Sequence, residues 1–204
     1  KLDAFSFGSC KSLRSVKLND GLTSIGSKAF RNCTSLTTIT IPKSVTSFEN
    51  DAFELCSSLE TVYYYTSLNV QPEDVTATVV GISENSTGVS VDKVKFNSGV
   101  TAYVIPSVID GKTVTAVGND VFNGNNTLTS VTIPNAVTAI GDNAFSECTK
   151  LKTVKLPKNL ETIGNNSFGN CWELAEIELP EGLKSIGSDA FFNCSSLTTV
   201  TIPK

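Results

Sequence analysis

Apolar residues recur along this chain in two interleaved periods. The first is a step of two. Val or Ile at positions 16, 39, 62, 131, 154, 177 and 200 is followed two residues later by Leu, Ile or Tyr at 18, 41, 64, 133, 156, 179 and 202. A step of two places both side chains on one face of a strand. The residues between and beside them are mostly Thr or Lys, as in Thr37-Thr38-Ile39-Thr40-Ile41-Pro42. Thr is a good strand former, and the Pro that often follows ends the strand because it cannot donate to a ladder. Each such strand is preceded at steps of three by Leu and, before that, by Cys in every copy but one. A Phe stands three residues before the Cys, and an Ile-Gly pair stands in the stretch leading to the Phe, at Ile140-Gly141, Ile163-Gly164 and Ile186-Gly187. The i, i+3 spacing of Ala-Phe-x-x-Cys predicts one turn of α- or 3₁₀-helix opposite the strand. The Gly after Ile is expected to supply a positive φ at a corner.

The second period is 23 residues. Phe7, Phe30 and Phe53 keep it, as do Phe122, Phe145, Phe168 and Phe191, and Phe53 to Phe122 is three periods. Cys10, Cys33, Cys56, Cys148, Cys171 and Cys194 follow six of these, with Asn125 in the seventh copy. A fixed repeat of this length means stacked coils, because one coil cannot bury its own Phe, Leu and Ile. Three segments follow. Residues 1–65 are a first array of three repeats, and 100–204 a second array of four regular repeats plus one irregular. Residues 66–99 depart from the repeat. There, Val75–Ile82 and Val89–Phe96 read as strands joined by a turn at Glu84–Gly88. The segment reads either as a β-rich insert or internal cap, or as two plain coils of degenerate sequence. Val100, Tyr103, Ile105 and Pro106 resume the Leu, Val, Ile and Pro slots, and Ile109-Asp110-Gly111-Lys112 reads as a hairpin.

The pattern C-x-x-L-x-x-V-x-I-P-x-x-V-x-x-I-G-x-x-A-F, carried by seven copies, resembles the BspA-like leucine-rich repeats, also called the Treponema pallidum type. The resemblance implies a leucine-rich-repeat solenoid, right-handed and of α/β type, with a parallel strand sheet and 23-residue coils, here interrupted by the β-rich segment. It also implies a place among surface proteins of bacteria or protozoa that adhere to host proteins and other cells. The resembling family opens arrays with a strand-rich segment running into a stretch like Ile105-Pro106…Ile109-Asp110-Gly111-Lys112.

Composition narrows the classes. The chain has 204 residues, 40% apolar and 18% charged, with 16 basic and 20 acidic side chains and a formal net charge of −4. Nucleic acid is an unexpected partner, since phosphate binding needs concentrated Lys and Arg. There is no His, which removes the commonest general base and metal ligand together. No CxxC pair occurs, so the six thiols are not arranged as a metal site. A shared slot beside the Phe residues instead predicts six unpaired, buried thiols. No apolar run reaches the length needed to span a bilayer. With no signal segment and no Met, the sequence is expected to start inside a longer protein or after processing. No cofactor is expected.

Function is therefore expected at a surface. The outward strand positions carry Lys17, Thr40, Tyr63, Thr132, Lys155, Glu178 and Thr201 in one row, and Glu176 stands out in the neighbouring row. In a leucine-rich solenoid this sheet face is the usual binding surface. Tyr63 and Tyr65 are expected as exposed aromatics there. Lys155, Glu176 and Glu178 form a charged patch, with Lys155 and Glu178 side by side. Trp172 occupies an exposed slot, either as a contact or as cover for a neighbouring coil. The expected function is a non-enzymatic, monomeric cell-surface or secreted adhesion module. It would meet a host or neighbouring-cell protein or glycan. A spacer projecting another domain and, more remotely, an enzyme are the alternatives.

Overall fold

The computed structural model describes residues 1–65, 78–96 and 99–203. Its contacts divide the chain into two compact units, Lys1–Ser83 with Val94–Asn97, and Glu84–Lys93 with Ser98–Lys204. Both are stacks of 23-residue coils joined by parallel strands, a solenoid with almost no helix.

In the first unit the Val-x-Ile strands are β1 (Ser15–Val16), β3 (Thr38–Ile41) and β5 (Thr61–Tyr65), while β2 (Ser24–Ile25) and β4 (Ser47–Phe48) lie at the Ile-Gly slot. β6 (Thr78–Glu84) follows. β1, β3, β5 and β6 pair in parallel, with Val16, Ile39 and Val62 in register. β2 pairs with β4, and Leu2 bridges to Ile25. The expected strand from Val75 has its first three residues outside the described residues, as do 66–74 and 97–98.

In the second unit β7 (Val89–Lys95), β10 (Lys112–Val117), β12 (Ala139–Ile140), β14 (Thr162–Ile163) and β15 (Ser185–Ile186) form one parallel row, aligning Val91, Val117, Ile140, Ile163 and Ile186. β8 (Ala102–Val104), β11 (Ser130–Thr132) and β13 (Thr153–Lys155) form the Val-x-Ile row, continued by bridges from Thr153 to Glu176 and from Glu176 to Thr199. Tyr103 pairs with Val131, in the slot the repeat assigns it. β9 (Val108–Ile109) forms the expected antiparallel hairpin with β10, turning through Asp110 (φ 52°) and Gly111 (φ 74°). These two positive φ values are what a tight hairpin turn requires. The Glu84–Gly88 turn is also present. There the Asn85 side-chain oxygen accepts from the backbone N–H of Thr87 and of Gly88, at 3.0 and 2.8 Å.

The core is a set of repeated columns. Phe7, Phe30 and Phe53 stack with ring centroids 5.3 and 5.5 Å apart; Phe122, Phe145, Phe168 and Phe191 stack at 4.8, 5.1 and 5.3 Å. These spacings match the distance between paired strands, so each ring rides on its coil at the pitch the backbone sets. Leu36, Leu128, Leu151 and Leu174 are wholly buried beside them. Each buried side chain of this size contributes roughly 1.5–3 kcal/mol.

Two details differ from the sequence expectation. The Ala-Phe-x-x-Cys stretch is 3₁₀-helical at Asn50–Phe53; in the other described copies it is a pair of tight turns. The reason is visible at the residues two before and two after the Phe. Lys28 and Asn32, Asn143 and Glu147, and Asn166 and Asn170 all have φ between 51° and 61°. A left-handed residue on each side stops a helix from propagating. The Gly after Ile has no positive φ at Gly141, Gly164 or Gly187. Its role is close approach. A Cβ on Gly164 would lie 2.6 Å from the carbonyl carbon of Gly141, and one on Gly187 would lie 2.6 Å from that of Gly164.

Candidate binding face

The cysteine column is the clearest polar feature of the core. Cys33 donates its thiol to the Phe7 carbonyl oxygen of the preceding coil at 3.1 Å. Cys56, Cys148, Cys171 and Cys194 repeat the bond to Phe30, Phe122, Phe145 and Phe168 at 3.0–3.1 Å. All six cysteines are unpaired, as expected. Their burial is a partial correction: four are buried, but Cys10 is exposed and Cys194 half-buried. Cys10 and Cys194 lie in coils that have only one described neighbour, so each lacks the cover that stacking provides. Burial pushes the Cys148 thiol up to about 12 and raises Cys33, Cys56, Cys171 and Cys194 above their ordinary value. The four buried thiols, Cys33, Cys56, Cys148 and Cys171, are neutral, inert core groups at physiological pH. Among the described residues, no cluster of three His, Cys, Asp or Glu side chains is placed to hold a metal.

A second polar column lies one residue after the Ile-Gly pair, and the sequence reading missed it. The Asn119 side-chain oxygen accepts from the N–H of Asp142. Asp142 accepts from the N–H of Asn165, and Asn165 from that of Ser188, at 2.9, 2.6 and 2.9 Å. The recurrence of Asn, Asp or Ser at 119, 142, 165 and 188 was the available signal. These bonds satisfy turn amides that the strand ladders do not reach.

On the outward face of the Val-x-Ile row the expected residues separate. Tyr65 is buried, 5% exposed, and Tyr63 is half-buried. The exposed aromatic patch expected there is therefore absent. Alternation alone would put Tyr63 and Tyr65 outward with Thr61. However, their partners on β6 in that same phase, Val80 and Ile82, are wholly buried. Both faces of the sheet are thus covered at this point. Burial accordingly raises the Tyr63 phenol above its usual range. Trp172 is 49% exposed, which excludes the tight cover of a neighbouring coil, and Phe192 is 60% exposed.

Lys155, Glu176 and Glu178 are all exposed and lie together. They line a groove of about 600 Å³ across three successive coils of the second unit, with Thr132 and Asn135 on one coil, Thr153 and Lys158 on the next, and Pro180 on the third. Two ion pairs form nearby: Lys152 with Glu173 at 3.6 Å, and Lys184 with Glu161 at 2.8 Å. Lys155, Lys158, Glu176 and Glu178 make no ion pair or side-chain hydrogen bond among the described residues. Their apposition is nevertheless fixed by register, since Thr153 pairs with Glu176 and Lys155 and Glu178 each lie two residues further along.

A 23-residue parallel-strand solenoid of this kind defines a leucine-rich-repeat protein. The sequence matches the BspA type leucine rich repeat region (6 copies) over residues 1–98 and 97–204, and the chain belongs to that family. None of the curated proteins matches it. Among solved structures, it is similar to a leucine rich cell surface protein from Faecalibacterium prausnitzii A2-165. The identity is 24% and the TM-score 0.54, over 98% of this chain and 56% of that one. The Pneumococcal vaccine antigen PcpA is 22% identical with a TM-score of 0.51, over 94% of this chain and 51% of that one. The leucine-rich repeat protein of T. pallidum is 31% identical with a TM-score of 0.49, over 61% and 68%. The chain thus spans about half the length of the first and second of these. No described helix is long and apolar enough to cross a membrane.

Proposed function

We propose that the chain is a binding module of a cell-surface or secreted protein. In this reading it acts by recognition and not by catalysis, and its partner, a host or neighbouring-cell protein or glycan, meets the Val-x-Ile face of the second unit. The observation that carries this reading is the groove itself. Four charged side chains stand around it with no partner among the described residues, although Lys152 with Glu173 and Lys184 with Glu161 form pairs nearby. Unpaired charges at a rim contribute little to folding, but they steer and select a partner. The similarity to a leucine rich cell surface protein of Faecalibacterium prausnitzii supports the location.

The test is a binding panel of immobilised extracellular-matrix proteins and surface glycans. It compares the native chain, a charge-swapped variant (Lys155→Glu with Glu178→Lys) and Trp172→Ala. Loss of binding on the charge swap, with retention in Trp172→Ala, supports the sheet face. The reverse pattern transfers the site to the turn side around Trp172. No binding to any member, by a chain that folds, would favour a spacer role.

A further inference from the structure

The groove's own geometry says what kind of partner it fits, and this deepens the reading above and rests on it. Its charges are sorted by coil. Lys155 and Lys158 belong to one coil, Glu176 and Glu178 to the next. The step between those two coils is measured by their stacked rings, Phe145 to Phe168, at 5.1 Å; the step before it, Phe122 to Phe145, is 4.8 Å. A positive stripe and a negative stripe therefore lie side by side, one coil apart. The lining contains no aromatic ring, so there is no platform for the apolar face of a sugar.

We propose that this groove receives an α-helical segment of a partner protein whose contacting face carries an acidic and a basic residue one turn apart. The acid lies over Lys155 and Lys158, and the base over Glu176 and Glu178. Spacing decides for a helix. Residues three or four apart on a helix have Cβ atoms about 5–6 Å apart, close to the coil step. Same-face residues of an extended strand lie roughly 6.4–6.8 Å apart and overshoot it. The groove's length of two coil steps also equals nearly two helical turns of about 5.4 Å each. A partner face of one charge sign would leave either the lysines or the glutamates facing like charge.

The experiment uses the intact chain and four designed peptides of about 20 residues, matched in length. Three are helical, with a face of Glu and Lys four residues apart, of Glu alone, or of Lys alone. The fourth repeats the mixed face but carries a central Pro that breaks the helix. Fluorescence anisotropy at low salt should rank the mixed helix about tenfold tighter than either single-sign helix. The Pro peptide should be weaker, and the preference should shrink as salt rises. In Lys155→Glu with Lys158→Glu, whose rim is wholly acidic, the Lys-only helix should become the best ligand. Circular dichroism should show an unchanged fold for this exposed pair. Equal binding of all four peptides, no binding of the mixed helix, or a ranking unchanged in the acidic variant would overturn the proposal. If the peptides fail while panel binding remains sensitive to the charge swap, the helical chemistry is wrong and the face is right. If both fail, the face itself is wrong.

Discussion

The thiol of Cys171 donates to the carbonyl oxygen of Phe145 across one coil step, at 3.1 Å, and that same oxygen also accepts the N–H of Cys148 at 3.2 Å. The repeat's Phe and Cys are therefore one device. The ring fills the core, its carbonyl would be left under-satisfied at the turn, and the next coil's thiol supplies the second donor. Asn125 stands in the Cys slot of the coil for which position 99, where the period would place the preceding Phe, is Gly. An amide oxygen cannot donate to a carbonyl as the thiol does, and it accepts instead from the N–H groups of Thr127 and Leu128 in its own coil, at 3.0 and 2.9 Å.

Thiol reactivity should follow burial. With a maleimide under native conditions, Cys10 labels first and Cys194 more slowly, while Cys33, Cys56, Cys148 and Cys171 are protected. All six label in denaturant. Peptide mass mapping checks the order, and rapid native labelling of Cys171 would contradict the packing.

Alkaline pH should destabilise the fold. The buried thiols titrate above their unfolded value of 9.0, Cys148 at about 12. Between those values the unfolded chain has lost protons that the folded chain still holds. Stability is thus fully present below about pH 9 and falls as pH rises toward 12. Urea melts from pH 8 to 11 should show the decline. Cys148→Ala with Cys171→Ala, though less stable overall, should show a shallower one.

Gly164→Ala should cost about 1–3 kcal/mol or more, because the new methyl collides with the backbone of Gly141 and neither strand can yield without breaking register. Gly182→Ala is the control. Its Cβ would meet nothing nearer than the Lys158 carbonyl oxygen at 3.9 Å, and it should change stability by about 0.5 kcal/mol or less. Equal effects in chemical denaturation would show that close approach is not what the repeat's Gly provides.

Phe168→Ala should destabilise by about 3–5 kcal/mol, since its ring is wholly buried between Phe145 and Phe191. Phe191→Ala should cost clearly less, because that ring is half-buried and stacks on one described neighbour. Thermal melts of the two variants give the comparison.

Residue spacing alone determined the coil, its length, the strand at Val-x-Ile and the slots of Tyr103 and Ile105 after the irregular segment. These are consequences of period, and a stack of identical coils has few ways to bury Phe, Leu and Ile at the same phase. The charged residues Lys155, Glu176 and Glu178 were likewise legible as outward and adjacent, because register follows from the repeat. What period could not reveal depends on neighbours distant in sequence. Tyr65 alternates outward like Tyr63, yet it is buried, since both faces of the sheet are covered where β5 pairs with β6. The Gly after Ile is ambiguous in sequence between positive φ and close contact. Only the 2.6 Å approach of the previous coil decides between them. The helical spacing of Ala-Phe-x-x-Cys was real, but left-handed residues such as Asn143 and Glu147 on either side turned most copies into tight turns. That Lys155 and Glu178 stand beside a groove, unpaired among the described residues, is a property of side-chain placement in three stacked coils, and no single repeat contains it.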